Sequence, residues 1–168
     1  HTRLRTGTGV QTCALPIYKR AFVVHGRSRD GSRGMDELSS LGRSYVAEIA
    51  EDASIIEHSL MPQDLGIRPA EEEEILHRGG IKEETHSLLR LLCGRETGSR
   101  REIVCLNAAP LLCMAGHAAD LPEAVERAGE IIDSGRAVRK LQDWVKHQNQ
   151  NPGPKLERLE SMLEAACS

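Results

Sequence analysis

Residues 45–60, YVAEIAEDASIIEHSL, decide the fold of the first half of the chain. Apolar and polar residues alternate over residues 45–49, which is the period of a half-buried strand. The segment Glu51-Asp52-Ala53 indicates a turn, and residues 54–60 return with further apolar side chains. Together they predict a β-hairpin.

The segment before this hairpin predicts one more strand and a loop. Residues 21–24 (AFVV) are an apolar run and favour a buried strand, which we expect the following glycine, Gly26, to break. Residues 27–34 (RSRDGSRG) are polar and glycine-rich, which is typical of a loop.

The second half of the chain has the spacing of amphipathic helices. Asp120 is a predicted N-cap with Pro122 in the first turn, and Gly94 is a predicted helix end. Pro110 lies inside an apolar helical segment and predicts a kink or break there. The predicted helices cover residues 82–93, 100–115, 120–134, 135–148 and 155–166. Short strands followed by packed helices predict a fold of the α/β class.

Charge and composition exclude two classes of partner. The 168 residues suit one domain, and 22 basic against 25 acidic residues give a formal net charge of −3 at pH 7. Nucleic-acid binding through clustered cations is therefore not expected. Four aromatic residues are too few for base-stacking platforms, and no apolar run is long enough to span a membrane.

The five cysteines lack the spacing of a zinc site. Cys93, Cys105 and Cys113 lie in apolar runs, where a reduced cysteine packs as a small hydrophobic residue. This pattern predicts buried structural thiols and a reducing, cytoplasmic location.

Residues 1–17 have neither a strand nor a helix period. The segment TGVQTCALPI at residues 8–17 resembles the translation of a sequencing-library adapter, and we interpret residues 1–17 as an artefact or a disordered tail. The expected division of the chain is thus this segment, a partial α/β domain over residues 18–150, and a hinge with a final amphipathic helix over residues 151–168.

Asp36 and Glu37 are the strongest candidates for a functional site. They follow a predicted strand and a glycine-rich loop, which is where α/β sheets often bind ligands. Adjacent carboxylates suit Mg²⁺, which takes oxygen ligands and often uses one or two carboxylates together with phosphate oxygens. The alternative from spacing alone is an acidic N-cap at the start of a helix.

Several short motifs, in order, resemble the C-terminal part of the anthranilate phosphoribosyltransferase family. They cover most of residues 18–144. The matching segments are residues 23–26 (VVHG), 34–39 (GMDELS), 46–49 (VAEI), 60–66 (LMPQDLG), 79–80 (GG), 106–109 (LNAA), 115–116 (AG) and 128–141 (AGEIIDSGRAVRKL).

This resemblance implies transfer of a phosphoribosyl group from phosphoribosyl pyrophosphate to anthranilate, a step of tryptophan biosynthesis. It implies a large α/β domain joined to a small helical domain, and a Mg²⁺-dependent homodimer. The Asp-Glu pair with which the family binds Mg²⁺ falls on Asp36 and Glu37.

The sequence also departs from the family pattern. The phosphate-binding loop, the anthranilate-contacting residues and the helical domain are expected upstream of Tyr18, so we expect this chain to be inactive by itself. The nine residues between Gly26 and Asp36 indicate an insertion, and Arg43-Ser44 replaces Pro-Thr. The other interpretations are a nucleoside phosphorylase-like protein, which the Asp-Glu pair disfavours, and a non-catalytic helical module that docks through residues 155–166.

Overall fold

The computed structural model describes residues 20–50, 52, 54–77 and 79–168. Strands occupy the first part of this range and helices the second, so the expected mixed α/β fold is confirmed. The segment that we interpret as an artefact, residues 1–17, lies outside the described residues, and the proposed division of the chain stays a prediction.

Four antiparallel strands form the sheet, in the order β2-β1-β3-β4. The predicted hairpin is confirmed as β3 and β4, with Val46 opposite His58. The expected break at Gly26 is wrong: β1 continues through this glycine, which pairs with Ser44 on one side and Met35 on the other. The strands are β1 (Ala21–Arg27), β2 (Gly34–Met35), β3 (Ser44–Ile49) and β4 (Ile55–Leu60).

Helices follow the sheet, after a 3₁₀ turn at Pro62–Leu65. They are α1 (Glu72–Ile75), α2 (Ile81–Leu92), α3 (Ser99–Met114), α4 (Leu121–Asp133), α5 (Arg136–Gln148) and α6 (Gly153–Cys167). The predicted cap is confirmed, since the Glu123 amide donates to Asp120 Oδ1 at 2.9 Å. Within the described part of the chain, no helix is both long and apolar enough to cross a membrane.

The predicted break at Pro110 does not occur. Helix α3 continues through the proline to Met114. The missing N–H removes one bond of the helical ladder. Leu106 before the proline and Cys113 after it are both buried, so packing supports the helical turns on either side.

The main core lies between one face of the sheet and the helices. Val46 and Leu60 from the sheet pack with Leu38 and with Leu106 of α3. A separate cluster joins Leu163 of α6 to Leu89 of α2. The apolar face of the last helix is therefore covered by the chain's own helices, which disfavours its proposed use as a docking surface.

The structure corrects the interpretation of Cys93 as a reduced thiol. Cys93, at the end of α2, forms a disulfide with Cys167 at the end of α6, and their Cα atoms are 5.7 Å apart. The packing of α6 on α2 brings the two residues together, although 74 positions separate them in the sequence. Cys105 and Cys113 are buried free thiols, as expected.

Candidate functional site

Asp36 and Glu37 form an exposed turn that directly follows β2. The next residue, Leu38, is fully buried in the main core, and Ser39 is fully buried behind it. No helix begins at this turn, so the alternative interpretation as a helix N-cap is wrong. The two carboxylates therefore stand at the surface on a backbone anchored in the core.

The donor set of this turn suits a hard cation. Within the described residues, neither carboxylate has a hydrogen-bond or ion-pair partner from the protein, so their oxygens are available to a ligand. Two carboxylates leave room for phosphate oxygens and water, which is the usual environment of Mg²⁺ in proteins. Among the described residues no group of three or more acidic, histidine or cysteine side chains could hold a metal by itself. The turn thus fits a Mg²⁺ ion that a phosphate ligand helps to bind.

Ser39 ties the backbone after the turn to β1. Its hydroxyl donates to the Arg27 carbonyl at 2.6 Å and accepts from the Leu41 and Gly42 amides at 3.1 and 3.2 Å. Its own amide donates to Ser44 Oγ at 2.8 Å. Since these groups are buried, each bond also satisfies a polar atom that has lost contact with water.

Gly26 allows β1 to approach the turn closely. A Cβ atom at this position would lie 2.5 Å from the Glu37 carbonyl oxygen and 2.9 Å from the Ser39 nitrogen. Both distances are too short for real contacts, so only glycine fits without a shift of the backbone. The missing side chain of Gly26 therefore leaves room for the Glu37 carbonyl to lie directly against β1.

Asn107 of α3 holds the same turn from the helical side. Its Oδ1 accepts from the Leu38 amide at 2.8 Å, and its Nδ2 donates to the Leu38 carbonyl at 3.0 Å. Nδ2 also donates to the Ile103 carbonyl within the helix, at 3.1 Å. Asn107, which is half-buried, therefore bonds backbone groups of the turn and of its own helix.

The loop between β1 and β2 is organised by Asp30. Its carboxylate accepts from the Ser28 hydroxyl at 2.6 Å, and from the amide and the hydroxyl of Ser32 at 3.0 and 2.8 Å. These bonds, the one from the Ser28 hydroxyl above all, lower the pKa of Asp30 from its usual 3.8 to about 2.

Four arginines of the β1–β2 loop and of the helices pair with carboxylates. Arg29 contacts Glu71 at 2.6 Å, and Arg33 pairs with Glu72, so the β1–β2 loop rests against the acidic run that begins α1. On the helices, Arg100 pairs with Glu84, and Arg101 contacts Asp133 at 2.6 Å.

Sequence reasoning identified the carboxylates but missed what holds them. Gly26 and Ser39 both lie in the motifs that resemble the family, yet neither shows its role by local pattern. The only local signal was a pair of adjacent serines, Ser39 and Ser40, after the carboxylates, and the role of Ser39 follows only from its contact with β1.

The fold and the Asp-Glu turn agree with the family to which comparison with known proteins assigns this chain. The sequence pattern of the glycosyl transferase family, a/b domain, matches residues 12–138, and the chain belongs to this family. Among characterised proteins, the chain is similar to the anthranilate phosphoribosyltransferase of Myxococcus xanthus. The two are 41% identical over 123 residues, which cover 73% of this chain and 34% of the relative.

Solved structures show the same likeness. Anthranilate phosphoribosyltransferase from Thermus thermophilus superposes with a TM-score of 0.59 and 31% identity, over 86% of this chain and 36% of that one. A Saccharomyces cerevisiae variant of the enzyme, with Mg bound, matches with a TM-score of 0.59 and 25% identity over 73% of this chain and 34% of its own. The chain thus spans about a third of the length of the relatives that it matches.

Proposed function

We propose that this chain provides the Mg²⁺-pyrophosphate part of an enzyme that transfers a phosphoribosyl group from phosphoribosyl pyrophosphate to anthranilate. The observation that carries the proposal is the exposed Asp36–Glu37 turn, whose carboxylates bond no other residue that the structure describes and whose backbone is anchored in the core of a chain of this family. The names of its relatives support the substrates, and the Mg-bound yeast relative supports the metal. We place the reaction in cytoplasmic tryptophan biosynthesis, with a homodimer as the active assembly.

The role of this chain's residues follows from their position. Asp36 and Glu37 provide carboxylate oxygens for Mg²⁺, and the buried Leu38 beside them prevents the turn from swinging away. When bound, the metal offsets the negative charge that develops on the leaving pyrophosphate. Because the turn is anchored before any ligand arrives, little reorganisation is required on binding.

A chimera tests this proposal. Residues 20–144 of this chain replace the corresponding segment of the Myxococcus xanthus relative, and activity is followed by the loss of anthranilate fluorescence with phosphoribosyl pyrophosphate and Mg²⁺. We expect the chimera to be active, and Asp36→Asn or Glu37→Gln to lower its kcat/KM by about a hundredfold or more. The 168-residue chain alone, about a third of its relatives' length, should show no turnover.

The control replaces a carboxylate outside the turn. Glu73 is exposed in the acidic run of α1, so Glu73→Gln removes one negative charge without touching the turn. Its kcat/KM should equal that of the unmodified chimera. An active chimera that is indifferent to both Asp36→Asn and Glu37→Gln would contradict the proposed metal site.

A further inference from the structure

Asn107 makes an unusual contact for a residue on an apolar helix. It reaches across 69 positions of sequence to bond both the N–H and the C=O of Leu38, the residue that follows Glu37. A side-chain amide carries its donor and acceptor in one plane, as a strand does, so two bonds fix the rotation of the bound backbone as well as its position. One bond would leave that rotation free.

The bonds between Asn107 and Leu38 also restrict the orientation of Glu37. The Leu38 N–H belongs to the peptide unit that Glu37 begins, so the 2.8 Å bond from Asn107 fixes the plane next to the Glu37 Cα. On the opposite side, the carbonyl oxygen of the same unit lies against Gly26, with no space for a Cβ. The peptide unit is held from two sides, and the direction of the Glu37 side chain depends on both.

We propose that Asn107 is the positioning residue of the Asp36–Glu37 turn: its two bonds to Leu38 orient the carboxylates for the metal. The inference rests on the proposed function, because it assumes that the carboxylates bind a divalent cation. Outer-shell partners that orient metal ligands contribute about 10- to 100-fold to metal affinity, although they never touch the ion.

The test is a Mn²⁺ titration of the 168-residue chain in the presence of pyrophosphate, read from the EPR signal of free Mn²⁺ and corrected with a titration of pyrophosphate alone, which also binds the metal. We expect Asn107→Ala to weaken Mn²⁺ binding by about tenfold. Circular dichroism and a urea titration accompany each variant, so that affinity is measured only on folded protein. A purely structural role would lower stability but leave the affinity of the folded protein unchanged.

Two further variants separate the contacts of Asn107. In Asn107→Ser the hydroxyl can still bond the Ile103 carbonyl within α3, but it is too short to hold both groups of Leu38. We expect Asn107→Ser to lose as much Mn²⁺ affinity as Asn107→Ala, with a smaller loss of stability. If Asn107→Ala does not fold, Asn107→Ser takes its place in the test. The matched control is Asn149→Ala, which removes an amide-to-backbone bond to Val145 at the end of α5 and should leave affinity unchanged.

The double variant Asp36→Asn/Glu37→Gln removes both proposed metal ligands. Its Mn²⁺ affinity shows whether the positioning role or the proposed metal site fails. Should the double variant abolish binding while Asn107→Ser retains the affinity of the unmodified chain, the positioning role is overturned and the metal site stands. Should the unmodified chain bind no Mn²⁺, or the double variant bind it equally well, the metal site and the positioning role both fall.

Discussion

At the scale of single residues, Gly26 is the point where β1 and the carboxylate turn meet most closely. Gly26→Ala places a methyl group 2.5 Å from the Glu37 carbonyl oxygen, and backbone atoms cannot move aside as a flexible side chain can. We expect a loss of about 1–3 kcal/mol in the free energy of unfolding, measured by urea denaturation.

The control for this substitution is Gly153→Ala at the start of α6. A Cβ there meets no atom within 4 Å. The variant should lose less stability than Gly26→Ala, because its only cost is the less favourable helical backbone of an alanine that precedes a proline, Pro154. Equal stability of Gly26→Ala and the unmodified protein would mean that the turn can withdraw from β1.

Asp30 gives a pH dependence at the same scale. Its pKa of about 2 lies below the usual 3.8, so the bonds from Ser28 and Ser32 stabilise the β1–β2 loop above about pH 4 and are lost as the pH falls towards 2. In Ser28→Ala, which removes the strongest of these bonds, the pKa should rise towards 3.8. An NMR titration of the Asp30 carboxyl carbon measures the midpoint.

Asp52 is the internal control for that titration. Its pKa is also lowered by a bond from a neighbouring serine, Ser54, at a different turn. Ser28→Ala should leave the Asp52 midpoint in place. A midpoint of Asp30 that is the same with and without the Ser28 hydroxyl would show that the loop bonds do not form in solution.

At the scale of elements, α3 connects the sheet to the helices. Leu106 is fully buried in the main core, whereas Leu111, on the same helix, is 62% exposed. Leu106→Ala should lower the free energy of unfolding by about 2–5 kcal/mol, because it removes apolar contacts and leaves a cavity.

Leu111→Ala makes the same chemical change on the exposed side of α3. The free energy of unfolding should change by less than about 0.5 kcal/mol, since no core contact is lost. Similar losses of unfolding free energy for Leu106→Ala and Leu111→Ala in urea denaturation would mean that Leu106 is not on the side of α3 that packs against the sheet.

At the scale of the whole molecule, the Cys93–Cys167 disulfide joins the end of the chain to α2. It closes a loop between residues 74 positions apart, and such a cross-link restricts the unfolded chain. Reduction with dithiothreitol should lower the free energy of unfolding by about 2–4 kcal/mol. Urea denaturation with and without the reductant measures this difference.

Cys167→Ser is the control for the reductant. It should show the lower stability under both conditions, because it cannot form the bond. A denaturation midpoint of the unmodified protein that dithiothreitol leaves in place would show that the disulfide does not form in solution. Packing of Leu163 against Leu89 would then hold α6 in place without the disulfide.

The sequence by itself determined the features that depend on neighbouring residues. The period-2 pattern of residues 45–49 and the turn signal after it predicted the β3–β4 hairpin, and Asp120 marked the start of α4. Asp36 and Glu37 stood out as a carboxylate pair after a strand and loop, and the structure leaves both exposed. Each of these features is encoded within a few positions, where local propensity and side-chain period dominate.

Only the tertiary structure decided which distant residues hold the site and close the fold. Gly26 continues β1 instead of breaking it because two neighbouring strands pair with it, and α3 passes through Pro110 because packing on both sides holds the helix. The bonds from Asn107 to Leu38 and the link from Cys93 to Cys167 span 69 and 74 positions. Such contacts depend on how elements pack against each other, and no local pattern in the sequence records that arrangement.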